Sequence, residues 1–360
     1  MKKIIFTVIL LALPVLAAVS QTGINKIILE SCTYSTTNPS KYPGKIIWRH
    51  SDGRLTDKCD FLISGSDAEH FEIKNGRLTV KKSSIKALDN KPFAQITLMA
   101  KVNTHIMGVN DFTIVNDRFA RNRTIAHRGA WKVANVPQNS IASLQEAQKL
   151  TCAGSEIDVY MTSDSLIILN HDRDHQGMNV ETNTAAELRS KPLKNGEPLP
   201  FLSDILAETK KGYDTKLIIE IKSSSVSKAH GIKSIDKVVE MVHNTQSQAW
   251  VEYIAFDYDL CKRILFLDPF AKVAFLNGDI EPNALFADGI TGFDYHLDVL
   301  KKNPLWMRAA QNLGLTTNVW TVNNPEDMEN FLKQGVDVIT TDEPGILIEK
   351  VKASSAKNKK

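Results

Sequence analysis

Seven polar side chains in this sequence stand at or just past the ends of short apolar runs, and their types belong together chemically. Glu156 and Asp158 lie two apart in E-I-D-V-Y, and residues two apart on a strand share one face. On an inward face two carboxylates are costly unless something positive lies between them. Glu220, inside L-I-I-E-I-K, repeats the pattern on a second run, with Lys222 two residues on and facing the same way. Glu156 and Asp158 alone would also suit an exposed strand end; a glutamate enclosed by isoleucines is hard to read as solvated surface. Three carboxylates from two strands point to a divalent cation, and oxygen ligands favour magnesium or calcium over zinc. His127 and His171 each close an apolar run and can move protons near neutral pH. Arg128 presents a planar fork that matches phosphate oxygens, and Lys222 a point charge. Cation, arginine, lysine and two imidazoles together describe phosphate-ester chemistry.

Such residues must be delivered by successive buried strands. From Asp117 onward apolar runs (T-I-A-H, S-E-I-D-V-Y, L-I-I-L-N-H, K-L-I-I-E-I-K, V-E-Y-I-A-F, K-V-A-F-L, G-I-T-G-F-D-Y, T-T-N-V-W-T-V, D-V-I-T-T-D) alternate with helical patterns. At 140–150, for example, Ile141, Leu144 and Ala147 recur at helical spacing behind an Asn139-Ser140 cap. Eight or nine such units in about 230 residues predict an α/β fold, a (β/α)₈ TIM barrel over 122–350. No glycine-rich nucleotide fingerprint follows the first strand. The segment between His171 and Lys216 is too long for an ordinary loop and reads as an insertion near the site mouth.

Residues 24–117 have a different character: short strands, turns and the hairpin signal Asn75-Gly76 predict an all-β sandwich. The stretch F-L-I-S-G-S-D-A-E-H-F-E-I-K-N-G-R-L-T-V, with I-T-L-M-A-K-V beyond it, resembles a cadherin-like module. L-D-N-K stands where an acidic calcium motif would be expected, so no calcium site is assigned. A packing module is the simpler reading of this domain; envelope or glycan contact is the alternative. Lys2 and Lys3 before an apolar run ending in small residues predict a signal peptide over 1–20, and hence export to the periplasm or beyond. The formal charge of +3 arises from these lysines and a basic tail at 351–360; the body between them is acidic. Nothing therefore suggests a nucleic-acid partner. Export permits a Cys32–Cys59 disulfide, with four free cysteines as the alternative.

A-H-R-G, E-I-D-V-Y-M-T-S-D, N-H-D, E-I-K, V-W-T-V-N and I-T-T-D-E-P, in this order across 124–348, resemble the glycerophosphodiester phosphodiesterase family. The resemblance implies a barrel hydrolase that cuts small glycerophosphodiesters into sn-glycerol 3-phosphate and an alcohol with Ca²⁺ or Mg²⁺. It gives His127 and His171 the acid/base roles, Glu156, Asp158 and Glu220 the metal, and Arg128 and Lys222 the phosphate. The substrate's own 2-hydroxyl is implied as nucleophile, through a cyclic phosphate that water opens. The family's P-E-N-T/S is here Pro137, Gln138, Asn139, Ser140, so one carboxylate is missing near the site. Trp131, Gln138, Asn139 and Trp320 are candidates for the substrate pocket; packing is the alternative for both tryptophans. Asp342 is expected to cap or orient. A phospholipase-like or glycan-phosphoglycerol phosphodiesterase, and a surface-binding protein without catalysis, are the rival readings.

Overall fold

The computed structural model describes residues 26–38, 43–50, 52–212 and 214–357. The expected signal segment lies outside them. Among the described residues no helix is long and apolar enough to cross a membrane.

Alternating side chains build the N-terminal part into two facing sheets. One contains Ile27–Leu29, Pro43–Arg49, Phe71–Lys74 and Arg77–Val80; the other contains Thr33–Tyr34, Asp60–Ser64, Phe93–Val102 and His105–Asn116. In Phe93–Val102 burial alternates residue by residue from Ala94 to Ala100, as a strand with one solvated face requires. Ile46, Trp48, Phe71 and Leu78 from the first sheet meet Phe61, Ile96, Leu98 and Phe112 from the second in one core. Asp67, in the cadherin-like stretch, is buried and accepts from the Gln95 amide and the Lys91 ammonium. Lys91 thus supplies the counter-charge to Asp67. All four cysteines are free: Cys32 is enclosed in this core and Cys59 only packs against it, so the pairing that export would allow is not made.

Eight parallel strands follow: β1 (Thr124–Ala126), β2 (Gly154–Met161), β3 (Lys216–Ile221), β4 (Val251–Ala255), β5 (Val273–Phe275), β6 (Gly292–His296), β7 (Thr316–Trp320) and β8 (Val338–Thr341). Each pairs with the next, and β8 pairs with β1, so the sheet closes. Every residue of β2 is buried, because helices cover one face and barrel neighbours the other. Sequence-local caps start the helices: the Ser140 hydroxyl accepts from the Ser143 amide ahead of Ile141–Lys149, and Asn324 caps Pro325–Lys333. The last helix, Pro344–Lys357, runs on through much of the segment read as a basic tail.

The long segment after His171 divides in two. A hairpin (Asp174–His175 with Met178–Asn179) and the helix Ala185–Arg189 form a small unit around Val180, Leu188 and Leu199. The helix Leu202–Thr209 instead packs Leu202, Ile205 and Leu206 into the main barrel core. The insertion is therefore shorter than the sequence suggested, since its final helix is a barrel helix. Glu181 ties the inserted unit to the loop after β3, accepting from the Ser225 amide at 2.8 Å and hydroxyl at 2.7 Å.

The sandwich packs under the N-terminal ends of the barrel strands. Trp250, just before β4, is buried in the sandwich core. Arg49 donates to the carbonyls of Phe266 (2.8 Å) and Leu267 (2.9 Å), and Thr113 to Gln246 (2.8 Å). This leaves the opposite rim, where barrel enzymes do their chemistry, free of the sandwich.

Candidate active site

Strand register places the three carboxylates. Asp158 on β2 stands opposite Glu220 on β3, with Glu156 one inward position below. All three are buried, and one oxygen from each lies within 4.8 Å of the others. The Lys222 ammonium sits 2.7 Å from Asp158 Oδ1 and 2.6 Å from Glu220 Oε1. The Arg128 amide donates to Glu156 Oε2 at 2.8 Å, and the Arg128 guanidinium Nε lies 3.7 Å from Asp158 Oδ2.

This leaves negative charge over. Burial pushes the Glu156 carboxyl well up, helped by the charges of Asp158 and Glu220. Burial and Asp158 lift Glu220 to about 7, against the pull of Lys222. Burial would raise Asp158 too, but Lys222, His171 and the Asn139 amide outweigh it and hold it low. Glu156 Oε1 is buried without a hydrogen-bond partner, and Glu220 Oε1 touches Lys222 without well-directed hydrogen-bond geometry. Unsatisfied buried carboxylate oxygens converging from two strands fit a hard divalent cation. Glu156, Asp158 and Glu220 would hold it.

The turn after β1 carries two further groups. Arg128 and Gly129 both have positive φ, 56° and 81°. A Cβ on Gly129 would lie 2.3 Å from Ser143 Oγ and 2.7 Å from the Ser143 carbonyl carbon, so only glycine fits this turn. His127, one residue earlier, meets Asp342 after β8, Nδ1 to Oδ1 at 2.7 Å. Asp342 in turn accepts from Asn323 Nδ2 at 2.7 Å and donates its own amide to Asn323 Oδ1 at 2.9 Å. His171, on the loop leading from the strand Ile167–Leu169, has Nδ1 2.8 Å from Asp172 Oδ1. Burial lowers its pKa, as do Lys222 and Arg128; Asp158 and Asp172 oppose them.

A cavity of about 80 Å³ lies among these groups, lined by His127, Arg128, Glu156, His171, Glu220 and Lys222 on one side and by Ile254, Phe256, Leu276 and Trp320 on the other. A larger cavity of about 1060 Å³, between the sandwich and the N-terminal rim, holds none of the seven sequence-derived groups. Of the four pocket candidates, Trp320 lines the site. Gln138 stands behind it, accepting from Arg128 Nη1 at 2.9 Å. Asn139 is buried and clamps Asp158, donating to its Oδ2 (2.8 Å) and accepting from its amide (3.0 Å). Its side chain is spent on Asp158, which corrects the expectation of a substrate contact. Trp131 begins the short helix Trp131–Ala134 and is absent from the lining, another departure from that expectation.

Sequence reasoning passed over Phe256, Leu276 and Asp294, which line the cavity. Phe256 and Leu276 read as strand-end hydrophobes. Asp294 in G-F-D-Y-H alternates inward as Asp158 does, and that alternation was the available signal.

With this geometry in hand, a model of the glycerophosphoryl diester phosphodiesterase family matches residues 127–346. A crystal structure of a glycerophosphodiester phosphodiesterase from Parabacteroides distasonis is 38% identical, with a TM-score of 0.64, covering 66% of this chain and 99% of that one. A glycerophosphodiester phosphodiesterase of Caldanaerobacter subterraneus is 28% identical over 247 residues, 63% of this chain and 97% of its own. The Thermotoga maritima enzyme structure, 20% identical with a TM-score of 0.52 over 63% of this chain and 97% of that one, shares the fold. The matched region contains all seven polar groups of the site, and the chain belongs to the glycerophosphoryl diester phosphodiesterase family.

Proposed function

We propose that this protein is an exported, metal-dependent phosphodiesterase that converts glycerophosphodiesters into sn-glycerol 3-phosphate and a free alcohol. The observation that carries the reading is the carboxylate trio within 4.8 Å, set beside two cationic side chains and two imidazoles around one cavity. Bound there, a divalent ion would supply positive charge to the phosphate oxygens and to the developing oxyanion.

The chain's own groups account for the rest. Arg128 and Lys222 hold the non-bridging oxygens, the first fixed by Gln138 and the second by Asp158 and Glu220. Of the cavity's lining residues only Thr340 carries a hydroxyl, and it is spent on the Asn318 side chain, which suits attack by the substrate's own 2-hydroxyl. One imidazole takes the 2-hydroxyl proton as the oxygen–phosphorus bond forms. The other gives a proton to the departing alcohol oxygen as its bond to phosphorus breaks. Water then opens the cyclic phosphate with the two roles reversed. His127 is oriented for this by Asp342, and His171 by Asp172.

The small cavity favours a glycerophosphodiester over an intact diacyl lipid, and the complete polar set disfavours a binding-only protein. Lys2, Lys3 and the apolar run after them support export. The test is glycerol-phosphate release from glycerophosphodiesters, abolished by EDTA and lost in His127→Ala and Glu156→Ala. Full activity in both variants would sink the assignment.

A further inference from the structure

The lower half of the barrel is not filled. The inward face that carries Glu156 and Glu220 on β2 and β3 carries Gly154 and Lys216 below them, in register with one another. Farther round, Ala274, Gly292 and Thr316 are register partners on β5, β6 and β7. Side chains this short cannot fill a layer that bulky branched residues ordinarily close. The cavity of about 1060 Å³ enters the gap, reaching Ile125, Ala153, Ile218, Ile254 and Val338. These residues belong to one apolar cluster. The sandwich supplies the opposite wall through Ile27–Leu29 and Phe112.

Charge is gathered at the mouth of this space. Arg123, Lys216 and Lys272 stand on the inward alternation at the starts of β1, β3 and β5 and line the cavity. On the same face β4 contributes a carboxylate, Glu252, which pairs with the Lys216 ammonium. Arg123 and Lys272 are exposed and make no ion pair among the described residues. The other acids of the wall are already engaged. Glu30 pairs with Arg77 (3.2 Å) and Asp117 with Arg121 (2.9 Å). Asp268 faces His243 at 3.1 Å, and Asp337 accepts from the Thr317 amide and hydroxyl, both at 2.8 Å. At the roof, burial pushes the Asp294 carboxyl well up. Two cations are therefore left over beside an apolar hollow, and an anionic head on a hydrocarbon body complements both.

We propose that this cavity is a second binding site, for an anionic amphiphile: a carboxylate or phosphate head on a linear hydrocarbon chain. Arg123 offers the head a planar fork for two oxygens, and Lys272 a point charge. The chain lies in the lower barrel against Ile125, Ile218 and Val338, where its methylenes leave water. A volume of about 1060 Å³ suits such a molecule and far exceeds what a bare anion needs. Ile254 and Asp294 line this cavity and the catalytic one alike, so the two share a partition. The site does not depend on the phosphodiesterase reading, and it gives the sandwich a task, closing the lower cavity.

The test measures binding of octyl phosphate and octanoate to the metal-free protein by equilibrium dialysis, below their micellar concentrations. Inorganic phosphate, acetate and octan-1-ol serve as controls. At least one octyl anion is expected to bind about tenfold or more tightly than its short control, the effect of burying two methylene groups. It should also bind more tightly than the alcohol, and whichever anion binds better identifies the head as carboxylate or phosphate. The double variant Arg123→Gln/Lys272→Gln should weaken that binding about tenfold or more, as loss of hydrogen bonds to a charged group does. Lys272→Arg should keep it. Ligand-free melting temperatures should match the wild type in both variants, since neither side chain has an ionic partner to lose. Affinity for the octyl anions no greater than for their short controls or for octan-1-ol would overturn the amphiphile. Undiminished binding in the double variant, with loss in Arg128→Gln, would place the ligand in the catalytic cavity and overturn the second site.

Discussion

His127 Nδ1 and Asp342 Oδ1 lie 2.7 Å apart across 215 residues of sequence, bridging the first and last strands of the closed barrel. The Asp342 carboxylate is itself held by Asn323. Burial would raise its pKa, but the hydrogen bond and charge of His127, with Asn323 and Arg128, keep it low. It therefore stays ionised and acceptor-only, which places the Nδ1 proton toward Asp342 and leaves Nε2 for the substrate.

Asp342→Asn keeps the shape but weakens this control of tautomer and orientation. We expect kcat to fall roughly 10–100-fold, part of the usual worth of a general acid or base, with KM little changed. The pH–rate profile should shift on one limb. Steady-state kinetics across pH will check this; an unchanged profile with a uniformly lower active fraction would indicate misfolding instead.

The carboxylate trio makes metal-free stability depend on pH. The Glu156 and Glu220 carboxyls are raised in the fold, Glu220 to about 7. A raised acid binds protons more tightly folded than unfolded, so its contribution is complete below its unfolded pKa and is lost as pH rises through the folded value. Metal-free protein should lose stability between about pH 4.5 and 7. His171, lowered by burial, acts in the opposite sense around its unfolded pKa, and two acids outweigh it. A bound cation relieves the repulsion. The rise in Tm on adding Ca²⁺ or Mg²⁺ after EDTA treatment should be larger at pH 8 than at pH 5, by roughly 3–6 °C.

Glu220→Gln should separate stability from activity. It removes a buried charge, so the metal-free variant at pH 8 should be as stable as wild type or more so, by about 1–3 kcal/mol. Its melting temperature should no longer respond to the cation. Thermal melts with and without metal read both effects; an undiminished metal response would remove Glu220 from the site.

Asn139 adopts φ 53° while making both hydrogen bonds to Asp158. Asn139→Ala loses two buried bonds and keeps the strained backbone, so a loss of about 2–4 kcal/mol is expected. Asn139→Gly relieves the backbone alone and should recover about 1 kcal/mol of that. Chemical denaturation of the pair resolves the two contributions.

Gln138 is the departure from the family pattern, and it orients Arg128. Gln138→Glu would replace a neutral acceptor by a charged one, strengthening the hold on Arg128 but offsetting its charge. Activity within about fivefold of wild type is expected. Gln138→Ala frees the guanidinium and should raise KM about tenfold, since a lost hydrogen bond to a charged group is of that order.

Much of this was open to reading along the chain. The i, i+2 pair Glu156/Asp158, the glutamate within L-I-I-E-I-K and the alternating apolar and helical runs are local patterns. Local patterns determine which face a side chain takes and which element carries it. From them followed the barrel, the metal-competent trio and the two cationic side chains beside it. What tertiary structure decided was which distant elements meet. Barrel closure brings Asp342 to His127 and the β7 tryptophan against Phe256 from β4. A left-handed turn sends Asn139 down onto Asp158 rather than out to a substrate. The same closure assigns Leu202–Thr209 to the wall, and packing of Trp250 sets the sandwich under the rim away from the chemistry. Such pairings depend on long-range packing and loop closure, whose free energies leave no periodic mark on neighbouring residues.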